Sequence, residues 1–312
     1  MKADPMRSYL QLCRFSAVFT ALGDIILGFL LLWPSLEPWN KSIPLLLASA
    51  GLYLSGMAWN DIFDRAEDAR ERPNRPIPSG RVPVRNAVIF ASLLTILGLA
   101  SSAVAGTISL ATALLLTVCI FLYDGVLKRT PVGPLVMGSC RFFNVLLGAS
   151  GGVDDLQHRF SMPHVWVAAS MGIYIVGVTW FARSDSGQSR RLDLIGGGLV
   201  MNIGLIGLAA WMMGVPVRLG WEFSTIDPGG AWNLVLALIV ISITVDRRIV
   251  RALSDPSPAT VQLAVKTMLL TLLVLDALLI YYYRGEAGKP YSLACLAMIA
   301  PALLLGRWLT MT

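Results

Sequence analysis

NDIFDRAEDARERPNRPIPSG, residues 60–80, follows directly on the apolar run IPLLLASAGLYLSGMAW, residues 43–59. Asp61, Asp64, Glu67, Asp68 and Glu71 are interleaved there with Arg65, Arg70, Arg72 and Arg75. If the apolar helix runs past Trp59, then Asn60, Asp61, Asp64 and Asp68 stand at i, i+1, i+4 and i+8. At about 100° per residue they fall near 0°, 100°, 40° and 80°, which is one face. Carboxylates crowded on one face repel each other unless a cation sits among them. Hard oxygen donors of this kind suit Mg²⁺, which takes a few carboxylates together with water and substrate phosphates.

The next stretch, RPNRPIPSGR at residues 72–81, cannot continue the helix. Pro73, Pro76 and Pro78 remove backbone donors and hold the chain extended. The expectation is that Arg72, Arg75 and Arg81 turn back towards the acidic face. Guanidinium forks pair with phosphate oxygens. Metal-binding carboxylates beside such forks make a site for a diphosphate. A juxtamembrane loop whose charges only neutralise each other would not need the one-face spacing, because exposed pairs contribute little.

Working outward, the chain has 312 residues, 55% hydrophobic and 14% charged, with a mean hydropathy of +0.67. Soluble domains carry roughly 25% charged residues. The deficit runs along the whole length and reads as one polytopic membrane domain, residues 1–312. The first apolar run lacks a clear cleavage site and reads as a retained span. Ten stretches are long and apolar enough to cross: 10–33, 43–61, 86–106, 108–123, 134–151, 164–182, 193–214, 232–250, 261–283 and 291–309. A glycine turn near Gly106 separates the third from the fourth.

With the N-terminus inside, the inner segments collect Lys2, Arg7, Arg65, Arg70, Arg72, Arg75, Arg81, Arg85, Lys128, Arg129, Arg183, Arg190, Arg191, Arg247, Arg248 and Arg251. The outer loops keep only Lys41, Arg159, Arg218, Arg284 and Lys289. This bias places both termini and the acidic motif on the cytoplasmic side. The net charge of +6 then follows from topology and anionic lipid, and no soluble basic domain exists to bind nucleic acid. Four charged ends (Asp61, Asp124, Asp185, Asp246) recur at similar offsets, as they would in duplicated four-helix halves or in ordinary cytoplasmic loops. Cys13, Cys119, Cys140 and Cys295 are scattered with no ligand spacing, as are His158 and His164.

The motif Asn60-Asp61-x-x-Asp64-x-x-x-Asp68 and the tail Arg72 to Gly80 resemble the UbiA superfamily of intramembrane prenyltransferases. YDGVLKR, Tyr123 to Arg129, resembles that family's aromatic-plus-Lys-Arg segment, and Arg14 resembles an arginine often found in its first span. The resemblance implies an all-α integral membrane bundle of nine to ten helices around a central cavity open sideways to lipid. It implies prenyl transfer from an isoprenyl diphosphate to a hydrophobic acceptor, with Mg²⁺. On this reading Asn60, Asp61, Asp64 and Asp68 hold the metal, and Asp64, Asp68 and Lys128 are catalytic. Arg14, Arg72, Arg75, Tyr123, Arg129 and Arg183 contact the donor. Tyr123, Phe143 and Tyr174 are candidates to shield a carbocation-like prenyl group, or else to pack the core.

The family's second aspartate-rich motif is degenerate here. GVTWFARSDSGQSRRLD, residues 177–193, holds only Asp185 and Asp193 as acids, with no i, i+4 pair. Asp185 is the remaining candidate for a second metal, or Arg183 contacts diphosphate in its place. GVTWFARSD resembles the EboC-like branch, whose members belong to gene sets linked with precursor export to the bacterial periplasm. That leaves an alternative: a membrane protein that handles a lipidic precursor without two-metal catalysis. A transporter or export accessory also stays open, because Asp24, Arg141, Lys266 and Asp276 lie within apolar runs.

Overall fold

The computed structural model describes residues 5–152, 163–183, 189–219 and 232–309. Among these, every regular element is helical. Short α1 (Pro5–Leu12) leads into α2 (Val18–Leu32), followed by α3 (Trp39–Phe63), α4 (Arg65–Glu71), α5 (Val84–Ala105), α6 (Thr107–Leu122) and α7 (Gly133–Ala149). Then come α8 (Pro163–Phe181), α9 (Arg191–Met212), short α10 (Val215–Arg218), α11 (Trp232–Ser254), α12 (Pro258–Arg284), α13 (Lys289–Ala297) and α14 (Ile299–Leu309). Seven helical segments pass as membrane spans by length and composition. One of them, Pro258–Leu309, contains α12, α13 and α14, and α13 packs back against α12. Of the remaining long helices, α7 has 17 residues, and α11 carries Asp246, Arg247, Arg248 and Arg251. The chain is a multi-pass integral membrane protein.

α2 sits at the centre, with 67% of its span buried, against 17% for the span containing α6. Its Ile26, Leu27 and Leu30 join a core with α7, α8, α9, α11 and α12. Its Ile25 and Phe29 join another with α3, α6 and α7. Close approach of α2 and α7 depends on Gly28 and Gly148: a Cβ on Gly148 would stand 2.6 Å from the Ile25 carbonyl oxygen. The outer helices leave Leu93, Ile96, Val104, Leu199, Ile206 and Val240 exposed, as lipid contact requires. The turn at Gly106 is present, and its φ of 149° suits glycine.

Two expected spans are interrupted. The first breaks at Cys13–Arg14, where Arg14 adopts left-handed φ 46° and ψ 49°, so α1 and α2 are separate. The last breaks at Met298, between α13 and α14. Pro301 explains it: the ring crowds the carbonyl of Ala297 and offers no N–H to it.

Candidate functional site

The acidic motif folds as its spacing predicts. Asp64 N–H donates to the Asn60 carbonyl and Asp68 N–H to the Asp64 carbonyl, both at 2.9 Å. Helical phasing therefore carries through the short break between α3 and α4. Asn60, Asp61, Asp64 and Asp68 are all buried, while Phe63, Arg65, Ala66 and Glu67 between them are exposed. The proline-rich stretch folds back over this face. Ile77 and Val82 anchor it in an apolar cluster with Leu12, Ala58, Ile62, Ala87 and Ala91.

Each buried oxygen-bearing side chain meets a cation or an amide. Arg75 Nη1 reaches Asp68 Oδ2 at 2.6 Å and Asp61 Oδ1 at 3.0 Å. Arg72 lies 3.6 Å from the other Asp68 oxygen. Arg14 Nη2 donates to Asn60 Oδ1 and Asp61 Oδ1, both at 3.2 Å. The left-handed backbone of Arg14, which costs about 1–2 kcal/mol for a residue with a Cβ, is the conformation from which its guanidinium makes these contacts. From the opposite wall Lys128 pairs with Asp64 and Arg129 with Glu67. Arg183 donates to the Arg129 carbonyl at 2.9 Å. The charged ends of α3, α6 and α8 are thus chained on one face of the bundle. Ser189 N–H, donating to the Pro256 carbonyl at 3.2 Å, ties in the end of α11.

A cavity of about 540 Å³ opens here, walled by Gln11, Arg14, Asp61, Arg72, Arg75 and Arg81, with Leu309 of α14 at its rim. Arg81 departs from expectation. It turns to Gln11 Oε1 at 2.7 Å and to the Asn74 carbonyl at 2.6 Å, bracing the loop against α1. The carboxylates also do not converge as expected: among the described residues no three His, Cys, Asp or Glu side chains are grouped to hold a metal ion. Arginine and lysine side chains stand between them instead. Asp185 lies outside the described residues, as does His158. Tyr174 is fully buried and donates its hydroxyl to the Met268 carbonyl at 3.1 Å, and Phe143 packs edge-on to Phe142. Both belong to the core.

Sequence reasoning left Asp124 out of the site. It lies in a π-helical turn, Tyr123–Leu127, and accepts a hydrogen bond from Asn60 Nδ2 at 2.8 Å. Such turns cluster at functional sites. The signal was present in YDGVLKR, where Asp124 is one of the four recurring charged ends but Tyr123, Lys128 and Arg129 alone were assigned to the site.

The model of the UbiA prenyltransferase family matches residues 21–240, more than two thirds of the chain. The chain belongs to the UbiA prenyltransferase family. Digeranylgeranylglyceryl phosphate synthase of Methanopyrus kandleri is 38% identical over 149 residues, 46% of this chain and 54% of that protein. The chain thus spans little more than half of that relative. The synthase of Methanoculleus marisnigri is 27% identical over 85% of this chain and 93% of that protein. Protoheme IX farnesyltransferase of Shewanella amazonensis is 29% identical over 53% and 60%. A UbiA homologue from Archaeoglobus fulgidus, solved with GPP and Mg²⁺, superposes with a TM-score of 0.59 at 15% identity, over 96% of this chain and 99% of that one. At that identity the likeness concerns the fold.

Proposed function

We propose that the chain transfers a prenyl group from an isoprenyl diphosphate to an apolar acceptor, aromatic acceptors included, with Mg²⁺ and within the membrane. The observation that carries this reading is the buried row Asn60, Asp61, Asp64 and Asp68, met from two walls by Arg14, Arg75 and Lys128, beside a cavity in a lipid-facing bundle. The donor set fits Mg²⁺ although, among the described residues, no three carboxylates are grouped. This ion is ordinarily held by one or two carboxylates plus substrate phosphates, not by an all-protein cage. Asp64, Asp68 and Asn60 would hold it, with Asp61 beside them. Bound there, it supplies charge stabilisation for the departing diphosphate.

The chain's own residues do the rest. Arg72 and Arg75 present guanidinium forks to phosphate oxygens from the loop. Lys128 and Arg129 offset, from the far wall, the charge that develops on the leaving group. Arg14 closes the side nearest α1, and Arg183 holds the Lys128–Arg129 segment through its carbonyl contact. Tyr123 offers an aromatic face to the prenyl carbon as its bond to oxygen lengthens. The allylic C–O bond breaks, a bond to the acceptor forms, and the acceptor gives up a proton. The Lys/Arg bias supports a site on the cytoplasmic face, with both termini on that side; the EboC-like resemblance supports a bacterial inner membrane.

The test is diphosphate release by the purified full-length protein, with geranyl, farnesyl or geranylgeranyl diphosphate and Mg²⁺. Release should stop with chelator and in Asp64→Ala and Asp68→Ala. Release that survives both substitutions, or no release with any donor, overturns the reading.

A further inference from the structure

Inside the bundle, away from the acidic end of α3, three ionisable side chains meet. Asp24 of α2 and Asp276 of α12 are 0% exposed, and Arg141 of α7 is 9% exposed. Arg141 Nε stands 2.9 Å from Asp24 Oδ2. Asn144, about one turn along α7, donates to that same oxygen at 2.8 Å and to the Ala21 carbonyl at 2.9 Å. Ser49 of α3 donates to Asn144 Oδ1 at 2.7 Å. Asp276 lies beside them: its Oδ2 occupies the space a Cβ on Gly23, the residue before Asp24, would need, and it is within electrostatic reach of Asp24 and Arg141.

Neither charge nor hydrogen bonding closes. Among the described residues, two carboxylates lie near one guanidinium, which is ion-paired with Asp24 and not with Asp276. Both Asp276 oxygens, Asp24 Oδ1 and the Arg141 Nε and Nη2 donors have, among the described residues, no hydrogen-bond partner, the contact of Nε with Asp24 being an ion pair only. Three of those five vacancies are carboxylate oxygens, and two carboxylates face a single guanidinium, so what is missing is positive. The other titratable groups facing the cluster do not supply it. Tyr53 of α3 and Tyr174 of α8 lie within electrostatic reach of Arg141, and Cys295 of α13 within reach of both carboxylates. The Tyr174 hydroxyl is already bonded to Met268. A buried carboxylate without a counter-charge costs several kcal/mol, and ionisable groups at membrane depth are retained where they bind or move something.

We propose that Asp24, Asp276 and Arg141 form an intramembrane site that takes one monovalent cation, either a proton or a sodium ion. The site shares no residue with the acidic end of α3 and does not depend on the reading given above for that end.

Purified full-length protein in detergent separates the two sources. In one arm, thermal stability is followed in NaCl against choline chloride and KCl at matched ionic strength and fixed pH. In the other, infrared difference spectra at neutral pH, in H₂O and D₂O, seek the carbonyl stretch of a protonated carboxylic acid. A saturable, sodium-specific rise in Tm that Asp276→Asn abolishes assigns sodium. A protonated-carboxyl band that Asp276→Asn or Asp24→Asn removes assigns a proton. The proposal is overturned if the wild type shows neither, or if the signal persists in both variants. It is also overturned if Asp276→Asn does not fold, because a neutral amide reproduces the neutralised site.

Discussion

Arg75→Ala strands a buried carboxylate, and the structure says which one. Arg75 Nη1 serves Asp61 at 3.0 Å and Asp68 at 2.6 Å. After truncation Asp61 keeps Arg14 at 3.2 Å. Asp68, whose side chain is 2% exposed, keeps, among the described residues, only Arg72, 3.6 Å away and 58% exposed. Removing one partner of a fully buried pair costs about 3–5 kcal/mol. The Arg75 side chain is 23% exposed beside a cavity, so water screens part of this. The expected loss is about 2–3 kcal/mol, or a fall in Tm on the order of 5 °C. The assay is thermal unfolding of the purified protein in chelator and again in millimolar Mg²⁺. In chelator the variant should melt lower, and the double variant Asp68→Asn/Arg75→Ala should recover most of the loss. In Mg²⁺ the gap between Arg75→Ala and wild type should narrow, because a divalent ion offsets the stranded charge. Equal stability of Arg75→Ala and wild type in chelator, or no recovery in the double variant, would refute the argument.

Arg14→Gly should be more stable than Arg14→Ala by about 1 kcal/mol, since only glycine holds φ 46° without strain; equal melting of the two would mean the backbone relaxes. Asp124→Ala removes the partner of Asn60 and should weaken Mn²⁺ binding about 10–100-fold in a spin-resonance titration, and unchanged affinity would remove Asp124 from the site. Gly148→Leu should prevent recovery of folded protein by forcing α2 from α7, whereas Gly125→Ala, whose Cβ would meet only the Phe63 ring at 3.8 Å, should purify normally.

Most of the spans were legible, seven segments passing by length and composition, because lipid demands a length and a hydropathy that little else imitates. The acidic face was legible because helical phase is fixed by spacing, and Asp64 and Asp68 are buried between exposed neighbours as that phase requires, with Asn60 and Asp61 buried at its start. What sequence could not give was the partner of each charge. Arg72 and Arg75 reach the face, yet Arg81, from the same loop, braces α1 instead. That difference is set by where Ile77 and Val82 anchor the backbone. The break at Arg14 was hidden because hydropathy averages over a turn and does not register one left-handed residue. Asp124 was hidden because a π-turn shifts phase by an extra residue, which an ideal 3.6-residue repeat does not anticipate. Sequence placed Asp24 and Arg141 within apolar runs without pairing them; in the fold Arg141 and Asn144 both contact Asp24 across helices.

The pairing of the acidic row has a consequence for the proposed reaction. A buried row of free carboxylates would repel a diphosphate. The same row neutralised by Arg14, Arg72, Arg75 and Lys128 is close to electroneutral before substrate arrives. A donor entering with a divalent ion brings both signs of charge. Carboxylates can then pass from guanidinium to metal while the released guanidinium and ammonium groups pass to phosphate. Each buried charge exchanges one partner for another, so the desolvation cost already met in the resting site is not incurred again. Metal and diphosphate should therefore bind cooperatively, each weakly alone, because either one by itself leaves one set of partners stranded. Mn²⁺ titrations with and without inorganic diphosphate measure this coupling. Equal Mn²⁺ affinity in both would show that the cations of the resting site are fixed counter-ions and not exchangeable ones.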